Sequence, residues 1–390
     1  MSSPFFKNYP KLSIVFFNFL LLLIIFIVFE ILLRIFAPGW LNYRMKILNA
    51  GENKGYGNDA NWNVKYNNGQ FYSFTPNSTF KIYHLEYENT VHINQLGARA
   101  TEINNFTDTN KIIPFIGDSY VMGVGVEDTE TMVSVLKKSL QYNFLNLGVA
   151  GTSLPIQRLI IKNRYSELGM PSVAIYGFLL DNDFDDILKL KAKNSADSTL
   201  LAKENSPDST SETSIGWKIN YFINHSWLRK LYSLQYLKQK ILNIKNRGKA
   251  KHMEAIFSII NTENISYIQK AEQEIDKEVE LLSKEPYKSI VLIIPDRAQI
   301  DSSLRNNMCD YYGLNKEKID PFLPNKIIIN SLKKYNIKYI DATECLIKHQ
   351  KEGSLYYTKD KHFTKFGHHV FSKCVEHDLR EALKKLNLKR

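Results

Sequence analysis

The chain has 390 residues, of which 44% are hydrophobic and 23% charged. Its length excludes a disulfide-stapled miniprotein, and its near-average composition excludes wholesale disorder and collagen-like repetition. Lys plus Arg number 51 against 40 Asp plus Glu, and the net charge of +11 suits contact with lipid headgroups or an acidic polymer. No zinc-finger spacing, RNP-like motif or continuous basic stripe accompanies that charge, so no nucleic-acid partner is expected.

At the front, residues 12–29 read LSIVFFNFLLLLIIFIVF, 18 residues without a charge. At ~1.5 Å per residue the run spans about 27 Å, close to a hydrocarbon core. Apolar residues continue to Phe36, and Pro38 and Gly39 stop the pattern. A cleaved signal peptide fits poorly, because the run is long and Arg34-Ile35-Phe36-Ala37-Pro38 is a poor cleavage site. A buried core helix fits poorly too, because the segment is apolar on every face. The reading is an uncleaved signal anchor over 12–36 after a short tail, 1–11. Lys7 and Lys11 precede the span while Arg34, Arg44 and Lys46 follow it, so charge bias is weak. The orientation taken is tail inside, with everything else periplasmic or extracytoplasmic. Three cysteines, Cys309, Cys345 and Cys374, allow at most one disulfide and do not decide a redox compartment.

Residues 37–70, rich in Asn, Gly and Lys from Gly51 onward, read as linker. Alternating stretches in 71–110, such as Thr79-Phe80-Lys81-Ile82-Tyr83, read as a small β lead-in. From residue 111 the pattern becomes α/β. Apolar runs at 112–116, 144–147, 173–180, 290–294 and 337–340 alternate with helical patterns, and the Lys338-bearing last run suits an edge strand. Ile268, Ala271, Ile275, Val279 and Leu282 mark one helix face, and Val370, Phe371, Cys374, Val375, Leu379 and Leu383 mark another. Strands alternating with helices predict a three-layer α/β sandwich with a mostly parallel five-stranded, flavodoxin-like sheet over 111–390. Residues 191–260 interrupt the rhythm: Ser/Thr/Asp/Lys-rich to 214, then aromatic and basic. They read as an insertion, half loop and half helical cap over a substrate, or alternatively a solvated decoration.

The run 112–116 ends in Gly117-Asp118-Ser119. A serine directly after a buried strand is lifted to the carboxyl edge of the sheet, and its N–H near a helical start points at developing negative charge. The tripeptide alone arises by chance in roughly one of twenty chains of this length. Three further segments join it. Gly151 follows the second strand and can bring a backbone N–H close to a carbonyl oxygen. Asn182 follows the third and can add a side-chain N–H. Asp360-Lys361-His362 stands before the final helix, where His362 suits a general base and Asp360 can hold its tautomer. His368 and His369 read as packing or helix-surface residues.

With these residues in hand, the chain resembles the SGNH, or GDSL, hydrolase family, whose four blocks carry Ser, Gly, Asn and His in the order of Ser119, Gly151, Asn182 and His362. The resemblance covers about 111–386 apart from the insertion. Asn94-Gln95-Leu96-Gly97-Ala98-Arg99 also looks like the lead-in of membrane-anchored bacterial members. Two departures stand out. Many members have Asp-x-x-His, whereas Asp360-x-His362 is similar to branches resembling polysaccharide acetyl-modifying proteins. The stretch from Gly177 to Asn182 lengthens the usual Gly-x-Asn-Asp.

What the resemblance implies is acyl transfer without a cofactor or metal. Ser119 is the nucleophile, His362 the base and Asp360 its orienting acid, with the amides of Ser119 and Gly151 and the Asn182 side chain as oxyanion hole. The partners it implies are an acyl-ester substrate (polysaccharide, peptidoglycan or lipid) and the membrane holding the anchor. Three functions compete. The first is an anchored esterase or O-acyltransferase on an envelope glycan or lipid ester. The second is a catalytically silent glycan-binding or assembly protein, and the third a lipase on bilayer substrates.

Overall fold

The apolar run at the front forms one uninterrupted helix, α1 (Pro10–Phe36). Its Lys11–Phe36 stretch has a mean hydropathy of 3.1 and is long enough to cross a membrane. Its large apolar side chains, from Leu12 and Phe16 to Ile35 and Phe36, are exposed along its length. The computed structural model describes residues 10–37, 41, 45, 54–55, 64–67, 70–99, 112–164, 168–181, 183–188, 230–245 and 253–386. The short tail and the Ser/Thr-rich 191–214 therefore fall outside the described residues, apart from Pro10 and Lys11.

After α1 come the short strands β1 (Lys54–Gly55), β2 (Val64–Asn67) and β3 (Gln70–Phe74), then the hairpin strands β4 (Thr79–Tyr83) and β5 (Glu88–His92). The α/β part follows: β6 (Ile112–Gly117), α2 (Ser119–Met122), α3 (Met132–Leu140), β7 (Asn143–Asn146), α4 (Leu154–Asn163) and β8 (Val173–Leu179). Beyond the insertion's helix α5 (Tyr232–Lys245) lie α6 (Ala255–Ile260), α7 (Ile265–Ser283), β9 (Lys288–Ile294), α8 (Arg297–Ile300) and α9 (Ser302–Tyr312). The chain ends with α10 (Leu323–Lys334), β10 (Lys338–Asp341), α11 (Thr343–His349) and α12 (Lys365–Lys385).

Strands β6 to β10 form one five-stranded sheet in the order β10-β9-β8-β6-β7. Every neighbouring pair in it is parallel. This is a doubly wound order with its switch point beside β6, and Lys338 lies on the edge strand as expected. The period of two along β6 sends Ile112 and Ile116 to one face and Ile113 and Phe115 to the other. The first face is covered by α4, α6, α7 and α10, through residues such as Ile161, Phe257, Ile275 and Ile328. The second is covered by α3, α11 and α12, through Leu136, Leu346, Phe371 and Leu379. Both faces are thus buried, which is why these strands read as unbroken apolar runs. A disulfide joins Cys345 of α11 to Cys374 of α12, while Cys309 is free and buried.

Two boundaries differ from the sequence reading. The stretch expected as linker, 37–70, contains β1, which pairs in parallel with β4, and β2, which pairs with β3 across a bulge. β1 is two residues long and β2 four, too short for a period of two to stand out in the sequence. At the other end of the insertion, Ile256, Phe257, Ile259 and Ile260 of α6 are fully buried in the first-face core. The residue string AIFSII is too short to show a helical period.

The chain divides into two compact units, Met1–Gly51 with Lys203–Ala250, and Glu52–Ala202 with Lys251–Arg390. Within the first unit, the described part of the insertion packs on the anchor helix. The Glu30 carboxylate accepts from the backbone N–H groups of Tyr232 (3.0 Å) and Ser233 (2.9 Å) at the start of α5, and from Arg34 Nε at 2.9 Å. It therefore serves as an N-terminal cap for α5. Phe29 meets Tyr236 edge to face at 6.3 Å, and the Arg34 guanidinium lies 5.2 Å from the Tyr232 ring centre.

Candidate active site

At the carboxyl end of β6 the chain turns sharply into α2. Asp118 caps this short helix, its Oδ1 accepting from the Tyr120 N–H at 2.9 Å. A side chain at Gly177 on the adjacent β8 would collide with Val121 of α2, so glycine there lets the Gly117-Asp118-Ser119 turn settle onto the sheet. That is the structural role of Gly177. Ser119 itself is 3% exposed.

His362 comes from the loop between β10 and α12. Tyr357 N–H donates to the His362 carbonyl at 3.0 Å, and Tyr356 and Phe363 form an antiparallel bridge, so the loop is a small closed hairpin. It presents the imidazole to Ser119: His362 Nε2 lies 2.7 Å from Ser119 Oγ. On the far side His362 Nδ1 lies 2.6 Å from Asp360 Oδ1. Burial alone would raise the Asp360 carboxyl, but the hydrogen bond and charge of His362, with the Tyr87 hydroxyl, hold it well below the usual carboxylate range. Asp360 is therefore an anion at neutral pH, which fixes the proton of a neutral imidazole on Nδ1 and leaves Nε2 free to accept from the serine.

Gly151 sits on the turn after β7, exposed, with φ +73. A Cβ there would meet nothing within 4 Å, so the left-handed backbone rather than lack of space asks for glycine. The turn is tied to the nucleophile strand by Val149 N–H to the Gly117 carbonyl (2.9 Å) and by the Thr152 hydroxyl to the same oxygen (3.2 Å). Asn182 lies outside the described residues. Its neighbour Asp181 accepts from Lys361 Nζ at 3.1 Å, linking the end of β8 to the histidine loop. His369 is exposed on α12, while His368 is buried and accepts the Met132 N–H at 3.2 Å.

Several residues that the sequence did not mark hold this arrangement. The Tyr120 hydroxyl donates to the Lys361 carbonyl at 2.5 Å, so the residue after Ser119 grips the histidine loop. Arg99, fully buried, donates to the carbonyls of Met122, Gly123 and Val126 and pairs with Asp128 at 2.8 Å. It thereby caps the C-terminus of α2. Two more carboxyls lie behind the turn. Burial raises Asp118 to about 7 and pushes Asp183 well up, the latter with the Asp118 charge adding to it. Among the described residues no group of three or more His, Cys, Asp or Glu side chains is placed to hold a metal ion.

The fold and site define a class in geometric terms: a doubly wound parallel sheet with a serine–histidine–aspartate relay at the carboxyl edge beside its switch point. No protein-family model matches the chain, and no curated protein matches it. Solved structures similar to it include a member of the lipolytic protein G-D-S-L family from Veillonella parvula DSM 2008, at 15% identity over 68% of this chain and 95% of that one, with a TM-score of 0.35. A lipase/acylhydrolase from Enterococcus faecalis is similar at 9% identity over 70% and 96%, with a TM-score of 0.35. A catalytic mutant of an acetylxylan esterase from Geobacillus stearothermophilus is similar at 11% identity over 74% and 98%, with a TM-score of 0.32. These are remote likenesses, and the chemistry of this site rests on its own distances.

Proposed function

We propose that the chain is a membrane-anchored serine esterase or O-acyltransferase of the SGNH type, acting outside the cytoplasm on an envelope glycan or lipid ester. The observation that carries the reading is the relay Ser119 Oγ–His362 Nε2 at 2.7 Å and His362 Nδ1–Asp360 Oδ1 at 2.6 Å. Ser119 Oγ attacks the ester carbonyl carbon as His362 Nε2 takes its proton. The carbonyl oxygen becomes an oxyanion, received by the N–H groups of Ser119 and Gly151 and by the Asn182 side chain. The intermediate collapses, the C–O bond to the alcohol breaks, and His362 returns the proton to that alcohol. The acyl-Ser119 ester is then attacked by water or by a sugar hydroxyl, which His362 deprotonates, and Ser119 is restored. Each oxyanion donor is worth ~10²–10³ in kcat.

The anchor reading is supported by α1, which is exposed and apolar throughout the length of a bilayer core. The extracytoplasmic reading is supported by the Cys345–Cys374 disulfide, a bond that persists in oxidising compartments. The excess of positive charge suits a substrate presented at an anionic surface.

A serine-directed fluorophosphonate should label the wild-type chain and leave Ser119→Ala unlabelled, and turnover of a short-chain aryl ester should vanish in His362→Ala. Equal labelling of wild type and Ser119→Ala would remove Ser119 from the nucleophile role. Absence of both labelling and turnover in the wild type would leave the silent binding protein as the better reading.

A further inference from the structure

The hairpin β4–β5 belongs to the lead-in, yet its turn reaches the acid end of the relay. The Glu86 carboxylate accepts three successive backbone N–H groups of the histidine loop: Thr358 through Oε1 at 2.8 Å, and Lys359 and Asp360 through Oε2 at 2.7 and 2.9 Å. Next to it, the Tyr87 hydroxyl donates to Asp360 Oδ2, the carboxylate oxygen that His362 Nδ1 does not use. Tyr87 is itself held between aromatic rings, His84 stacked at 4.9 Å and Tyr357 at 4.7 Å. The Tyr357 hydroxyl in turn donates to the Gly125 carbonyl at 2.6 Å, just beyond α2.

We infer that Glu86 and Tyr87 are positioning residues for the acid–base pair, acting through Asp360; the inference rests on reading Ser119, His362 and Asp360 as the reacting residues. The reasoning is one of degrees of freedom. Asp360 lies two residues before His362 within the small hairpin closed by Tyr356 and Phe363, and a carboxylate side chain there can rotate away from the imidazole. A phenol donor on Oδ2 fixes the rotation that aims Oδ1 at Nδ1, and hydrogen bonds to ionised groups are the strong ones. A carboxylate gripping three consecutive amides fixes the backbone that carries both residues. The lead-in thus supplies the outer support that a preorganised site needs.

The test uses the full chain in detergent, with Tyr87→Phe, Asp360→Ala and the double variant. Phenylalanine keeps the ring against Tyr357 and removes only the hydroxyl. Tyr87→Phe should lower kcat for an aryl ester about tenfold, the size expected for a hydrogen bond to a charged group, with KM within about twofold. In the Asp360→Ala background the same change should cost nothing further, because the oxygen that accepts from the Tyr87 hydroxyl is gone. Glu86→Gln, which keeps one acceptor oxygen, should lose less than Glu86→Ala. A substrate-free arm reads the downfield Nδ1 proton of His362 by NMR, which should move in Tyr87→Phe. Equal losses of kcat in both backgrounds would reduce Tyr87 to a structural residue and overturn the inference, as would an unmoved proton signal with unchanged kcat. A wild type that shows the proton and its shift but turns over no ester would instead defeat the esterase reading and leave the positioning intact.

Discussion

At the scale of single residues, chemistry is made by neighbours. Ser119 and His362 are common side chains, and their use comes from a strand end and a loop that bring them to 2.7 Å. The three relay residues were legible because each sits in a short motif at a strand or helix boundary. Glu86, Tyr87, Arg99 and Tyr120 were not legible, because their partners lie between 23 and 274 residues away and nothing in local spacing points there. His368 was legible only as a packing residue, yet it sets a pH dependence. Burial, with the charges of Arg99 and His362, pushes it down to about 3 from the usual 6.5. It stays neutral when folded, whereas the unfolded chain takes up a proton below about 6.5. Stability is therefore lost as pH falls from about 6.5 towards 3, by on the order of 3 kcal/mol at pH 4. His368→Gln, which can still accept from Met132 N–H, should narrow the gap between melting temperatures at pH 7 and pH 4. An unchanged gap would place the acid sensitivity elsewhere.

At the scale of elements, what could be read depended on burial. The five sheet strands and the helices α7 and α12 were legible because two packed faces force apolar runs and helical stripes. The lead-in strands β1 and β2 were not, since at two and four residues they are too short to show a period. The covalent link between α11 and α12 could be stated only as a possibility, because three cysteines do not reveal their partner. Cys345 and Cys374 are 29 residues apart, and closing that loop is worth about 3 kcal/mol. Denaturant unfolding should show a lower midpoint for Cys345→Ser than for wild type, and reductant should bring wild type down to the variant without moving the variant itself. A midpoint indifferent to both would mean that the two sulfurs are not bonded in the protein as made.

At the scale of the molecule, the chain combines a helix suited to lipid with an α/β unit suited to water. The exposed apolar surface of α1, from Leu12 to Phe36, is larger than a water-soluble surface ordinarily carries in one patch. Its last turns are engaged by α5, so α1 and the part of the insertion that carries α5 fall in one unit. The full chain should remain in the membrane fraction after alkaline carbonate and after high salt, because neither weakens burial in hydrocarbon. Release by salt alone would show that the net positive charge, rather than α1, holds it.

The hydroxyl and the imidazole of the relay stand 243 residues apart, the second beyond the last strand. Translation runs from the amino end, so the serine is made and its strand delivered long before the proton acceptor exists. Until residue 362 has been made, the Ser119 hydroxyl therefore has no imidazole at its side. The contact between the two side chains can form only after all five strands of the parallel sheet have been synthesised.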